Sequence, residues 1–360
     1  MKKKLIILSL ILVFALAFTA CTPDTPPVVP APVEDENGDE PQDTRTAADF
    51  VSDNPFISVD EVWEMWNVLG ENNVVTIGVV DPTLGLVPFT NASNPIRGSY
   101  LVWSPDYLRA NTEEALSPAV AIYRIPLDEM EALLSGIETT LTAETPIVVF
   151  ASDAQAQGAR VLWHLRALGL NARLLDGGNA TWRDAGHPTG RSARLNDQAP
   201  EQDFRAPNYD MDNFSASFHD VLHAVQNPDE WIILDVRNDA EFAGERVGAS
   251  TNAYGTGRIA GAVHIEWNRV FGADDMLLPE AELRALFAEV LDGRRIIVYC
   301  QGGVRAAHTW AVLTMLGADV LNHDGSWIEW SYAASSAGSF EDRELVRSFT
   351  EEWTDNNGPI

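Results

Sequence analysis

The sequence predicts an α/β protein of two tandem domains, each a parallel sheet covered by helices on both faces. Three observations predict it. Short apolar runs rich in β-branched residues alternate with stretches whose apolar side chains recur at helical spacing, as a parallel sheet with crossover helices requires. The same succession of elements occurs twice. The length of 360 residues accommodates two ordinary domains and tails.

The repeat is visible residue against residue. Ser217 to Val225 parallels the stretch 58–69, and Ile232-Ile233-Leu234-Asp235-Val236-Arg237 parallels Val75-Thr76-Ile77-Gly78-Val79-Val80. Ile259-Ala260-Gly261-Ala262 parallels Ile96-Arg97-Gly98-Ser99, and Ile297-Val298-Tyr299-Cys300 falls on Val148-Val149-Phe150-Ala151. Asp324-Gly325-Ser326-Trp327-Ile328-Glu329-Trp330 answers Asp176-Gly177-Gly178-Asn179-Ala180-Thr181-Trp182. The expected organisation is a first domain at 51–190, a polar linker at 191–212 and a second domain at 213–336.

Ahead of the repeat, Lys2, Lys3 and Lys4 precede an apolar run from Leu5 to Phe18, then Thr19-Ala20-Cys21. This reads as a secretory signal over residues 1–20. The small residues before Cys21 resemble a bacterial lipobox, with Phe18 where Leu is usual. On this reading Cys21 is lipidated and the protein is exported and anchored to the cell membrane by that lipid. The alternative, a transmembrane helix, fits less well because the run is short and meets Pro and acid at once. Residues 21–50, rich in Pro, Asp, Glu and Thr, read as a disordered tether.

Two consequences follow from cleavage. Lys2, Lys3 and Lys4 are all the lysines, so the mature chain has none and Schiff-base or pyridoxal chemistry through lysine is excluded. Of the two cysteines, Cys300 is then the sole thiol and has no disulfide partner within the chain. The formal net charge of −29 argues against nucleic acid and anionic lipid surfaces as partners.

Within the first half, Ser58 and Glu61 open a helix over 56–70 through a capping box, and Val74 to Val80 is a strand. The stretch 82–98 is loop, with an Asn-x-Ser sequon at Asn91, and 112–118 holds little pattern. Leu127 to Gly136 is helical, Ile147 to Phe150 is a buried strand, and a helix from Gly158 to Leu168 stops at Gly169. Arg173 to Leu175 is a strand, Asp176-Gly177-Gly178 a turn, and Thr181 to Ala185 closes the unit. Residues 337–360 read as an acidic C-terminal tail holding at most one helix.

The most informative stretch runs from Arg294 through Ile296-Ile297-Val298-Tyr299-Cys300-Gln301-Gly302-Gly303-Val304-Arg305 to Leu316. A buried strand ends, a glycine loop follows, and a helix begins, the usual place for a site in an α/β sheet. The amides of residues 301–305 can point inward as an anion-binding nest at a helix N-terminus, which favours a thiolate. This spacing points to a nucleophilic Cys300; the alternative is a small buried core cysteine. Arg305 either pairs with substrate charge or makes a structural salt bridge. Asp235 and Arg237 read as an ion pair bracing the floor of the site. His308 is either a base or a core residue, and Trp267, Trp327 and Trp330 read as packing residues.

Asp235-Val236-Arg237, Glu241-Phe242, Ile259-Ala260-Gly261-Ala262, the Cys300 loop and Asp324-Gly325-Ser326-Trp327, in that order, resemble the rhodanese superfamily. The arrangement over roughly residues 55–335 is similar to that of the tandem thiosulfate and 3-mercaptopyruvate sulfurtransferases, with an inactive first and an active second domain. The resemblance implies two five-stranded parallel sheets and a Cys300 persulfide that carries sulfur from a small donor to a thiol or cyanide acceptor. It implies no cofactor and no metal. Gln301, Gly302, Gly303, Val304 and Arg305 would form the substrate-binding loop. Cys300 to Arg305 is a Cys-x4-Arg loop, one residue shorter than the Cys-x5-Arg of related phosphatases and arsenate reductases.

The first domain has Ala151 at the nucleophile position, followed by Ser152-Asp153-Ala154, and reads as a structural wall of the cleft. The second departs from the thiosulfate enzymes, which place an Arg where this chain has Glu241 and a cation where it has Gly302. Gln301-Gly302 also departs from the Cys-Gly-Ser/Thr-Gly of the mercaptopyruvate enzymes. Arg246 and Arg258 are the candidates to supply the missing charge for the donor. Two function classes remain open: an extracytoplasmic sulfurtransferase, or a non-catalytic module that binds polysulfide or docks a protein partner.

Overall fold

The β-branched runs of the first half become strands and its amphipathic stretches become helices, in a computed structural model that describes residues 43–80, 94–109, 123–151, 155–245, 253–338 and 340–356. In chain order the first half comprises β1 (Phe56–Ile57), α1 (Val59–Leu69), β2 (Val75–Val80), β3 (Tyr100–Trp103), α2 (Ser104–Tyr107), β4 (Leu108–Arg109) and β5 (Tyr123–Arg124). It continues with α3 (Leu127–Leu134), β6 (Ile147–Ala151), α4 (Gln155–Ala167), β7 (Ala172–Leu175), α5 (Gly178–Asp184) and β8 (Ala193–Arg194). The second half comprises β9 (Ser215–Ala216), α6 (Phe218–Gln226), β10 (Trp231–Asp235), α7 (Asp239–Phe242), β11 (Gly255–Ile259), β12 (Val263–His264) and α8 (Glu280–Leu286). It ends with β13 (Arg295–Tyr299), α9 (Val304–Met315), β14 (Val320–His323), α10 (Ser326–Ala334), α11 (Arg343–Ser348) and β15 (Thr350–Asp355).

Six parallel strands form one sheet in the order β1-β7-β6-β2-β3-β8. Five parallel strands form the other, in the order β9-β14-β13-β10-β12. Strand for strand, β1, β7, β6, β2 and β3 answer β9, β14, β13, β10 and β12. The caps correspond as well. Ser58 and Glu61 cap α1 reciprocally, and Ser217 and Asp220 do the same for α6.

Side chains alternate across the pleat, and this alternation partitions the core. Val148 and Phe150 face one cluster with Trp66 and Trp182, whereas Ile147 and Val149 face the opposite side. In the second sheet, Ile297 and Tyr299 face a cluster with Trp327 and Trp330, whereas Ile296, Val298 and Cys300 face the other. That other side is common to both halves: Val149, Leu165, Val298, Cys300 and Trp310 belong to one continuous core. Helix α4 packs against α9 through it. The residues following Thr44 accordingly form one compact unit.

Four expectations are corrected. The first sheet has six strands rather than five, because Ala193–Arg194 of the expected linker pairs with β3. Leu195, Phe204 and Met211 of that linker are also buried, anchors too widely spaced to show a period. Helix α4 starts at Gln155 rather than Gly158, since Gln and Ala extend a helix readily. The acidic tail is built into the second half: β15 pairs antiparallel with β11, and the Trp330 indole N–H donates to Thr350 Oγ1 at 3.0 Å. Its Thr-Glu-Glu-Trp-Thr-Asp sequence reads as solvated because only Trp353 is large and apolar. Residues 1–20 with the lipidation candidate Cys21, the tether up to residue 42, Asn91 and the stretch 112–118 lie outside the described residues, while the end of the expected tether is ordered, with a 3-10 turn at Ala47–Phe50.

Candidate functional site

Cys300 follows the last residue of β13, the central strand of the second sheet, and the pleat aims it at the shared core. Its side chain is buried, with 1% of the residue exposed. The chain then turns through Gln301, Gly302 and Gly303 into α9, whose helix starts at Val304. Gly303 adopts φ 77°, and a Cβ there would lie 2.7 Å from both Arg160 Nη1 and the Asp324 carbonyl oxygen, so only glycine fits. Helix α10 holds the loop from behind. Cys300 N–H donates to Ser326 Oγ at 3.2 Å, and the Cys300 and Gln301 carbonyls accept from Trp327 and Ile328 N–H at 3.1 Å each. The first-turn amides of α9 lack carbonyl partners within their own helix and carry its positive dipole end beside the sulfur.

Arg305, in that first turn, is held by Glu241. Its Nη1 and Nη2 donate to the two carboxylate oxygens at 2.8 and 2.9 Å. Glu241 is buried, and its position is fixed by the capping exchange with Asn238 at the start of α7. Burial pushes the Glu241 carboxyl up, but the Arg305 and Asn238 hydrogen bonds outweigh it and hold the group below its usual range. Burial likewise opposes the charge on Arg305, yet Glu241 and the nearby Cys300 sulfur raise its pKa overall.

Behind the loop, on the opposite face of the sheet, Asp235 and Arg237 are paired and fully buried. Arg237 Nη2 donates to Asp235 Oδ2 at 2.6 Å and to the Gly257 carbonyl at 2.8 Å, and Tyr299 Oη donates to Asp235 Oδ2 at 2.6 Å. The Arg237 guanidinium also lies 4.7 Å from the Trp327 ring centroid. These contacts make the floor under β13 rigid.

The sequence reading missed the first half's part in the site. Arg160, on α4, donates from Nη2 to the fully buried Asp324 and from Nη1 to the Gly303 carbonyl at 3.4 Å. Arg124 donates to the same carboxylate from Nη1 at 3.0 Å. Burial and Arg124 push the Arg160 pKa down to about 9, while the Cys300 sulfur pulls the other way. No local signal marks Arg160, since an arginine in a helix reads as surface.

The remaining candidates lie elsewhere. Arg258 donates to Glu351 Oε2 at 2.9 Å and to the Phe242 carbonyl at 3.1 Å, so the β11–β15 ribbon holds it rather than the cysteine loop. Arg246, Ser152, Asp153 and Ala154 lie outside the described residues. His308 is buried among the rings of Phe56, Trp267 and Phe271, and neither ring nitrogen has a hydrogen-bond partner. Burial lowers its pKa to about 3, so it sits as a neutral core residue rather than a base. Trp327 and Trp330 are fully buried, whereas Trp267 and Phe271 help line a cavity of about 490 Å³ at the Ala151 end of β6.

The second half is thus an α/β domain whose central parallel strand leads through a buried cysteine into a Gly-Gly turn and a helix N-terminus. Residues 218–333 match the family of the rhodanese-like domain, a span that takes in β10, β12, β13 and β14 of the second sheet, the Cys300 loop and the Asp324 turn. The chain is 30% identical over 197 residues to the thiosulfate sulfurtransferase of Corynebacterium glutamicum, covering 53% of this chain and 64% of that enzyme. Among solved structures it is similar to the anaerobic ergothioneine biosynthesis enzyme of Chlorobium limicola, with a TM-score of 0.60 at 20% identity over 77% of this chain and 68% of that one. It is also similar to YnjE, with a TM-score of 0.61 at 17% identity over 77% of this chain and 66% of that one. The two structural likenesses bear on the fold alone.

Proposed function

We propose that this protein is a sulfurtransferase that works through a persulfide on Cys300. The observation that carries the reading is the placement of Cys300 at the end of β13, before Gly-Gly and the N-terminus of α9, inside the span that matches the rhodanese-like domain. The thiolate attacks the outer sulfur of a sulfane donor and forms a new S–S bond. The donor's own S–S bond breaks, and the remainder leaves with the bonding electron pair. An acceptor thiolate or cyanide then attacks the outer sulfur of the persulfide, and the Cys300 thiolate is released unchanged. Loop amides and the helix dipole favour negative charge on the sulfur at each stage.

The first half is proposed to be an inactive copy of the same domain, since Ala151 has no nucleophile to offer and its sheet repeats the strand order. Export and anchoring through lipid on Cys21 are proposed from the N-terminal sequence, and incorporation of labelled palmitate that Cys21→Ala abolishes would test them. A second reading, a non-catalytic sulfur-binding or docking module, is favoured by the 1% exposure of Cys300 and by the engagement of Arg305 with Glu241. Intact mass spectrometry after incubation with thiosulfate, 3-mercaptopyruvate or polysulfide separates the two. Catalysis requires one added sulfur on the Cys300 peptide, removed by cyanide or a thiol with turnover. Sulfur that loads but does not turn over supports the module.

A further inference from the structure

The carboxyl end of β6 is the place in the first half that Cys300 occupies in the second, and a cavity of about 490 Å³ opens there. Both halves wall it: Ala151, Gln155 and Thr181 from the first, Trp267 and Phe271 from the second. Pockets that hold small molecules run from about 300 to 1,000 Å³, and α/β sheets bind such molecules beyond the carboxyl ends of their strands. None of residues 300–305 lines this cavity, so it is distinct from the cysteine loop. Its second-half wall is already fixed. Trp267 opens a 3-10 turn that ends at Val270, and Gly272 N–H donates to the Met276 carbonyl at 2.8 Å to close the hairpin that follows. Leu277 N–H then donates to Asp176 Oδ1 at 3.1 Å and holds that hairpin against the first half.

Two features of the lining define its chemistry. The Trp267 and Phe271 rings stand 85° apart with centroids at 5.7 Å and make an aromatic corner. Asp184, Asp274 and Asp275, all exposed, bring three carboxylates to the rim, and among the described residues none of them makes an ion pair. No arginine or histidine is among the described lining side chains, and the chain beyond Lys4 has no lysine to send there. The same field reaches Asp176, whose carboxyl is pushed up chiefly by burial and further by Asp274, against hydrogen bonds from Leu277 and Gly177. Aromatic faces and uncompensated carboxylates both attract cations. A metal ion would leave the aromatic corner unused, and a single ammonium would leave two carboxylates unmatched. We propose that this cavity binds a linear polyamine, its ammonium groups on the three aspartates and its methylene stem along Trp267 and Phe271. The site is independent of the chemistry at Cys300.

The test is calorimetric titration of the full chain with spermidine in about 0.15 M salt, where diffuse attraction to an acidic protein is screened. Binding should saturate at one site. Trp267→Leu leaves every charge in place and should weaken it about fivefold or more. Asp274→Asn should weaken it by a similar factor. Glu144→Gln removes an exposed charge ahead of β6, at the opposite end of that strand, and should change nothing. No saturable binding, an unaltered affinity in Trp267→Leu, or equal losses in Asp274→Asn and Glu144→Gln would each overturn the proposal. Should Trp267→Leu fail to fold, Phe271→Leu is read in the same way. Magnesium chloride titrated in place of spermidine should bind at least about tenfold more weakly. Magnesium bound as tightly as spermidine would make this a metal site and overturn the polyamine assignment.

Discussion

The C-terminal ends of β6 and β13 occupy the same place in two sheets of the same strand order, yet they are finished differently. β6 ends on Ala151, and the side-chain oxygen of Gln155 accepts from the Gly177 and Gly178 amides at 2.9 and 2.8 Å in the amide orientation that satisfies both groups. A Cβ on Gly178 would approach the Ala151 carbonyl to 2.7 Å, so this turn packs directly against the strand end. After β13 comes Cys300, and the corresponding helix, α10, donates its amides to the loop's carbonyls from behind. At one end the turn amides are tied to Gln155 beside the cavity that Trp267 and Phe271 help line; at the other the turn carbonyls are taken by α10 and a buried cysteine stands before a helix N-terminus. The shared architecture carries either outcome; the residues at the strand end decide which.

The largest expected effect tests whether that difference is complete. Cys300→Ser should lower sulfur transfer by at least about a thousandfold with an unchanged far-UV spectrum, and adding Ala151→Cys should not restore it. Recovery in the double variant, read by turnover, would mean the two ends are equivalent after all. Next in size, Asp324→Asn replaces the anion on which first-half Arg160 and Arg124 converge. It should cost about 3–5 kcal/mol in urea denaturation, because both guanidiniums remain buried beside a neutral amide. A loss under about 1 kcal/mol would show that the halves are joined by their apolar contact alone.

His308, packed against Phe56 of the first half, gives a pH signature of the same junction. Burial holds its pKa at about 3, below the ordinary 6.5, so between these values the unfolded chain binds a proton that the folded chain does not. Stability from this residue is therefore full above pH 6.5 and falls as pH drops toward 3, by up to about 1.4 kcal/mol per pH unit. His308→Leu should make the measured slope shallower by about one proton. His164 and His323, both lowered by burial, keep the residual slope in the same direction. The smallest effect belongs to Arg258. Arg258→Ala should cost less than about 1 kcal/mol and leave the rate of Cys300 loading unaltered, as a residue of the β11–β15 ribbon should.

The strands, the Ser58–Glu61 capping box and the cysteine loop are legible because each is local: β-branched runs, Ser with Glu three residues on, Cys before Gln-Gly-Gly. The Asp235–Arg237 pair was legible for the same reason, its members being two residues apart. Glu241 stood out as a departure, but its partner could not be read, since Arg305 lies 64 residues away. Asp324 stood in a legible motif, but its partner Arg160 lies 164 residues away and gave no signal. β15 was hidden for another reason. Its burial is partial, and two consecutive exposed glutamates, Glu351 and Glu352, break the alternation that would mark a strand.

That last strand also fixes an order of events during synthesis. Its partner β11 pairs Gly255 with Asp355, so the ribbon beside α7 cannot form until a hundred further residues have been made. The local contacts of the first half are available long before. A ribosome stalled shortly before residue 350 would therefore hold a chain with Cys300 already made and Arg258 still waiting for Glu351. Cys300 is synthesised before the ribbon that finishes its half of the molecule.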